Sequence, residues 1–316
     1  MSMGEFDVIE RHFRPLAGDA ALDLSDDCAL LIPPPEQVIA ISTDTMVENV
    51  HFLPDDPVET LGRKLLRCNL SDLAAMGATP LGYTLNLTLP RDRSFSDAWF
   101  SAFCGGLAED QKHYNIPLLG GDTTSINGPL VLNATIYGGV RPEHALRRNG
   151  AQLGDDVWVT GTIGDAALGL LALQGKLADP DGTFSARYHL PLPRVHLPLG
   201  GLAHAAMDIS DGLIQDCAHI ARASGVMLYI NADHVPASPA AAALGAEYLK
   251  HRLSGGDDYE LLLCVPTERA EALQQLCAAH HVPITRIGTV RKGQGVHVHD
   301  HADHTLTFEK TGWLHF

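Results

Sequence analysis

The chain reads as an α+β protein of two domains, with mixed sheets packed against helices. Three observations carry that reading. Apolar runs of strand length alternate with stretches of helical periodicity along the chain. At 316 residues and 45% hydrophobic content it can bury more core than one average domain needs. A polar, glycine-bearing stretch from Arg147 to Asp156 interrupts the pattern near the middle, and the domains are expected at 1–146 and 147–316.

The first half opens with a strand at Val38–Ser42, followed by a helix from Pro57 to Met76 in which Leu61, Leu65 and Cys68 recur at helical spacing. Next come a strand at Leu81–Leu89, a helix at Ser94–His113, an apolar run at Ile116–Leu119 and a strand at Pro129–Val140. The second half repeats the mixture: a strand at Val157–Thr160, a helix at Asp165–Gln174, a strand near Ala205–Ile209, a helix at Asp211–Ser224 and a strand at Met227–Ile230. A strand at Tyr259–Val265, a helix at Thr267–His280 and a strand at Thr285–Val290 complete the pattern.

The charge balance narrows the partners. With 22 basic against 38 acidic residues, net −16, the chain repels nucleic acid and anionic membrane surfaces. No apolar run of membrane-spanning length and no leader-like segment is present, so a cytoplasmic location is expected. The six cysteines lack CxxC spacing and mostly sit in apolar runs, which reads as reduced, structural thiols.

Six acidic motifs stand beside Ser, Thr or Gly: Ser25-Asp26-Asp27, Ser42-Thr43-Asp44, Asn69-Leu70-Ser71-Asp72, Gly120-Gly121-Asp122, Asp208-Ile209-Ser210-Asp211-Gly212 and Ser254-Gly255-Gly256-Asp257-Asp258. Carboxylates within about 4 Å repel by about 1 to 4 kcal/mol, so a fold that gathers them needs protons or hard cations between them. Asp72 continues the apolar stripe of its helix, where a carboxylate needs a partner; the alternative is a frayed edge reaching solvent. Asp44 and Asp208 fall at or just past strand ends, where side chains line ligand clefts. Ser210 and Asp211 also read as helix caps, and Gly120-Gly121 as a tight turn or a phosphate approach. Thr160 to Asp165 is a weaker phosphate-loop candidate. His297, His299, His301 and His304 suit either a transition metal or a solvated hairpin. The phosphate-loop, protein-kinase, dinucleotide and hydrolase-elbow signatures are all absent.

Taken together, these motifs resemble the thiamine-monophosphate kinase family, within the superfamily of aminoimidazole ribonucleotide synthetase, selenophosphate synthetase and the related hydrogenase maturation protein. The resemblance runs nearly end to end and includes His51-Phe52 and Gly312-Trp313. It implies an aminoimidazole ribonucleotide synthetase-like fold whose N-terminal domain forms a dimer barrel; because each half carries acidic motifs, the site is expected in a cleft between domains or along one continuous face. It also implies ATP-dependent phosphorylation of thiamine monophosphate with magnesium in a homodimer. By motif, Asp27, Ser42, Thr43, Asp44, Asp72, Asp122, Asp208 and Asp211 would bind magnesium. Gly121, Asp122, Arg148 and Ser210 would meet ATP, and His51, Asp257 and Trp313 the thiamine side. Competing readings are another ATP enzyme of the superfamily and a non-catalytic divalent-cation binding protein.

Overall fold

The computed structural model describes residues Gly4 to Leu314, which fall into two compact units. One comprises residues up to Leu73 with Ala78–Arg141; the other comprises Ala74–Gly77 with Pro142 onward.

In the first unit a short helix α1 (Glu5–Val8) precedes β1 (Val38–Val47), α2 (Val58–Ala75), β2 (Thr79–Pro90), α3 (Asp97–Tyr114), β3 (Leu118–Ile126) and β4 (Val131–Val140). The sheet order is β1-β4-β2-β3, with only the β2/β3 pair parallel. β1 runs five residues past the expected end at Ser42, so Asp44 lies inside the strand rather than after it. Gly120-Gly121-Asp122 also lies within a strand and makes no tight turn. A Cβ on Gly121 would sit 1.8 Å from the Leu85 carbonyl oxygen, which is why glycine occupies this point of the ladder.

The two long helices approach unusually closely. A Cβ on Gly106 of α3 would lie 2.0 Å from the Glu59 carbonyl of α2, and one on Gly62 would lie 2.8 Å from Leu107. Beside this crossing, Arg63 and Arg67 of α2 converge on the fully buried Asp110 of α3; Arg67 Nε donates to Oδ2 at 2.6 Å and Nη2 to Oδ1 at 2.9 Å. Ser96 caps α3, its side chain accepting the Trp99 N–H at 3.2 Å.

The second unit holds β5 (Asp156–Thr160), α4 (Asp165–Leu173), α5 (Thr183–His189), β6 (Ala205–Asp208), α6 (Leu213–Ser224), β7 (Met227–Asn231), α7 (Pro239–Ala242) and α8 (Leu249–Ser254). β8 (Leu261–Val265), α9 (Ala270–Ala279), β9 (Ile284–Arg291) and β10 (Gly295–His299) follow. The sheet order is β10-β7-β9-β5-β8-β6, antiparallel except for β10/β7. Both faces of its central strands are covered: Val157, Val159, Leu262 and Cys264 join one core with α6, while Trp158, Leu261, Leu263 and Val265 join another with α9. Two-sided burial explains why these strands read as unbroken apolar runs. The histidine-rich segment begins as edge strand β10, parallel to β7, and then turns back so that Thr305 bridges His299 antiparallel, closing the hairpin that was one expectation. Five of the six thiols are buried and all are free.

Removing the Asp110 carboxylate takes two hydrogen-bond acceptors from the buried Arg67, while Arg63 keeps its pairing with Glu109. Asp110→Ala is expected to lower stability by about 3 to 5 kcal/mol, read as a shift of the urea midpoint, with Asp110→Asn falling between it and wild type.

Candidate functional site

The sequence-predicted residues assemble separately within each unit. In the first, the pleat of β1 sends Ser42 and Asp44 toward α2 and Thr43 to the opposite face. Ser42 Oγ donates to Asp72 Oδ2 at 2.6 Å. Asp72 is thus engaged from the sheet and is no frayed edge. The Asp44 carboxyl is pushed up to about 7, first by burial and then by the charge of Asp72 and a hydrogen bond with it. Two carboxyls that must share a proton form a place for a cation.

Thr43 is turned away from this pair. Its hydroxyl donates to the Ala134 carbonyl at 3.0 Å and accepts from Asn133 and Thr135. Any ligand role for Thr43 therefore falls to its main chain. On that open face Thr45, Asn133, Asn86 and Asp122 occupy facing positions across all four strands. Asn133 Nδ2 reaches Thr45 Oγ1 at 2.9 Å, and Asn86 Nδ2 reaches Asn133 Oδ1 at 3.2 Å.

Asp27, Gly121 and Asp122 line one cavity of 490 Å³, together with Asp26, Thr84 and Tyr137 on its polar side and Phe13, Leu24 and Leu118 on its apolar side. The approach to Asp26 holds Leu22, Asp23 and Leu24 at φ of 52°, 57° and 53°, left-handed values that side-chain-bearing residues adopt at a cost. His51 stands half-buried beyond β1, its Nδ1 accepting the Val47 N–H at 3.0 Å. The neutral ring accordingly carries its proton on Nε2.

In the second unit the Asp208–Gly212 turn is the hub. Asp208 ends β6 and is buried; Asp211 is half-buried. Neither Ser210 nor Asp211 caps α6 with its side chain. The cap comes from within the helix: Asp216 Oδ2 accepts the N–H groups of Ser210, Asp211 and Gly212 at 3.1, 3.2 and 3.1 Å. The Asp257 N–H donates to the Ser210 carbonyl at 2.9 Å and the Tyr259 N–H to that of Ile209 at 2.8 Å, docking the Ser254–Asp258 motif on the turn. From the C-terminal side the Trp313 N–H donates to the Asp211 carbonyl at 3.0 Å, and Gln215 Nε2 bridges Asp211 Oδ2 and the Trp313 carbonyl. Asp208, Ser210, Asp211, Asp257 and Trp313 are therefore neighbours, with the Trp313 side chain 50% exposed. Arg148 is exposed; its charge helps hold the His219 ring below its ordinary value, after burial and Arg222.

Sequence reasoning missed Asp216, which is pushed up to about 7 by burial and by Asp211, against the pull of its three amides. The signal was present: Asp216 lies three residues after Leu213 and four before Ile220, on the buried stripe of α6, as Asp72 does on α2. Asp258 and Glu260 were also without assigned roles. Asp258 accepts the Gly164 N–H at 2.9 and 2.8 Å at the head of α4, and Glu260 takes Arg187, Arg194 and Thr160 in a buried cluster. The Thr160–Asp165 loop is thus occupied by the protein's own carboxylates. Among the described residues the His-rich segment gathers no metal cluster; His299, His301 and His304 instead pair with Asp303, Asp233 and Asp300.

Residues 25–140 match the family described as AIR synthase related protein, N-terminal domain, and residues 152–301 match the corresponding C-terminal domain. The thiamine-monophosphate kinase of Caulobacter vibrioides is 43% identical, with 98% of this chain and 90% of that protein covered. That of Salmonella typhimurium is 41% identical, covering 100% and 99%. Among solved structures, the thiamine-monophosphate kinase of Stenotrophomonas maltophilia superposes with a TM-score of 0.84 at 43% identity, covering 94% of this chain and 97% of that one. AaThiL, complexed with AMPPCP and TMP, gives 0.77 at 29% identity, covering 100% and 99%.

The Asp44–Asp72 pair makes a pH-dependent contribution to stability. The folded, metal-free chain keeps a proton on Asp44 up to about pH 7, whereas an ordinary carboxyl releases it near 3.8. Stability from this source is complete below the lower value and is lost as pH rises through the higher one. In EDTA, Asp44→Asn should gain in melting temperature relative to wild type as pH goes from 5 to 8; a constant difference would contradict the pairing.

Proposed function

Because the chain belongs to the thiamine-monophosphate kinases of the AIR synthase related family, we propose that it transfers the terminal phosphoryl group of ATP to thiamine monophosphate, forming thiamine diphosphate. The observation in this chain that carries the reading is the crowded Ser42–Asp44–Asp72 cluster, a site whose carboxyls, without added positive charge, keep a shared proton up to about pH 7.

The donor set fits magnesium: carboxylates and hydroxyls, with no thiol among them. Ser42, Asp44 and Asp72 on the α2 face of the first unit's sheet, Asp27 and Asp122 at its cavity, and Asp208 and Asp211 in the second unit would each hold magnesium, with Thr43 contributing at most its main chain. Bound there, magnesium supplies the charge that lets two polyanions approach each other. Gly121, Asp122, Arg148 and Ser210 bind ATP; Gly121 and Asp122 line the cavity and Arg148 offers an exposed guanidinium. His51, Asp257 and Trp313 bind thiamine monophosphate, the indole face and the carboxylate both attracting the cationic ring. The acceptor phosphate has its second pKa near 6 and is already ionised at neutral pH, so no general base is needed. The work left to the protein is alignment for direct in-line transfer, without a phosphoenzyme.

The chain acts as a homodimer in the cytoplasm. A second copy covers the open face of the first unit's sheet, where Ile41 is 64% exposed beside the polar row described above. No described helix is long and apolar enough to cross a membrane.

Incubation with magnesium, ATP and thiamine monophosphate should yield ADP and thiamine diphosphate in equal amounts; no ADP above background would favour a non-catalytic cation binder. Asp44→Asn should cut turnover by about a hundredfold with the fold intact. Trp313→Ala should raise the KM for thiamine monophosphate and leave that for ATP nearly unchanged, whereas equal losses for both would assign the indole to packing.

A further inference from the structure

The two oxygens of Asp216 stand in opposite circumstances. Oδ2 is saturated by three backbone N–H groups. Oδ1 is sealed from solvent in a residue only 1% exposed, yet it meets no donor. A bare buried oxygen of this kind is unfavourable, and the neighbouring Asp211 carboxylate adds repulsion.

Ligand atoms of Asp211, Asp216 and His219 all lie within 4.8 Å of one another. Arg222 donates to His219 Nδ1 at 2.8 Å. An arginine can only donate, so the neutral imidazole holds its proton on Nε2 and acts there as a donor, not as a metal ligand. What remains for a cation is two carboxylates, one of them with an unanswered oxygen. That donor set selects a hard, oxygen-seeking ion over zinc or copper.

We infer that Asp211 and Asp216 jointly hold a divalent cation of the magnesium and manganese class, Asp216 Oδ1 serving as the buried ligand and Asp211 as the ligand open to solvent. Water completes the coordination shell, and the His219 N–H bonds to one of its oxygens. The same Asp216 side chain thereby fixes the turn from one oxygen and the ion from the other. This adds Asp216 and His219 to a site in which the proposed function places Asp211, and it rests on that reading only for what the ion would go on to meet.

The test is a manganese titration of the nucleotide-free full chain, followed by paramagnetic broadening of NMR signals. The Ser210, Asp211 and Gly212 amides and the His219 ring should broaden at or below one equivalent. Asp216→Asn keeps an oxygen for the three amides but places an NH2 where Oδ1 stands, and should require about tenfold more manganese at an unchanged melting temperature. A wild-type titration in that variant, or broadening that spares these signals, overturns the inference. If Asp216→Asn fails to fold, Asp211→Asn at the more exposed position provides the same readout with the same expected shift, and an unchanged titration again overturns it. No nucleotide or turnover enters the measurement, so its failure is distinct from an absence of ADP formation.

Discussion

Repulsion among carboxylates is the constraint around which both units are built. A chain of net charge −16 that gathers acidic side chains must neutralise, separate or anchor each of them. The first unit meets the problem with a shared proton and a serine hydroxyl at Asp44, Asp72 and Ser42. The second meets it mainly with backbone amides, three of them directed at a single oxygen of Asp216. Where positive side chains are used, they serve architecture: Arg67 clamps Asp110 across two helices, and Arg187 and Arg194 close on Glu260. Guanidinium groups thus neutralise structural carboxylates, and the half-buried acids near the candidate site are held by weaker or neutral donors.

That division has an energetic logic. A carboxylate locked to arginine is unavailable to a cation, because breaking a buried pair costs several kcal/mol. One steadied by amides or a hydroxyl keeps at least one lone-pair direction for an added ion. The Asp208–Gly212 turn shows how little side-chain chemistry is needed. Backbone bonds from Asp257, Tyr259 and Trp313 draw three distant segments onto it.

The strands and long helices were legible because their periodicities are strong, and strand β5 with α4 fell within a residue of expectation at each end. What the sequence hid was which way side chains point. Period two along β1 separates Thr43 from Ser42 and Asp44, but a motif read as a block keeps all three together. Gly120-Gly121 looked like punctuation, yet Gly121 is there because Leu85 of the neighbouring strand comes too close for a side chain. Local propensity carries no information about such a non-local approach. The short helices α5, α7 and α8 lack a clear apolar period and went unread for that reason. Asp216 was legible by the argument applied to Asp72, because it lies on the buried stripe of α6.

The central position of β5 also governs when the second unit can form. Its ladder partners are β8 and β9, which begin at Leu261 and Ile284. During synthesis the segment Val157-Trp158-Val159 emerges more than a hundred residues before either flank that will cover it, and at about 5 to 20 residues per second that means several seconds or longer. A central strand whose partners lie this far along the chain is slow to pair, since the long loop must be ordered before the central contacts repay it. The first unit has no comparable wait, because its sheet is complete once β4 has been made. Nascent chains that end between residues 160 and 260 would therefore carry an apolar strand whose ladder partners have not yet been made.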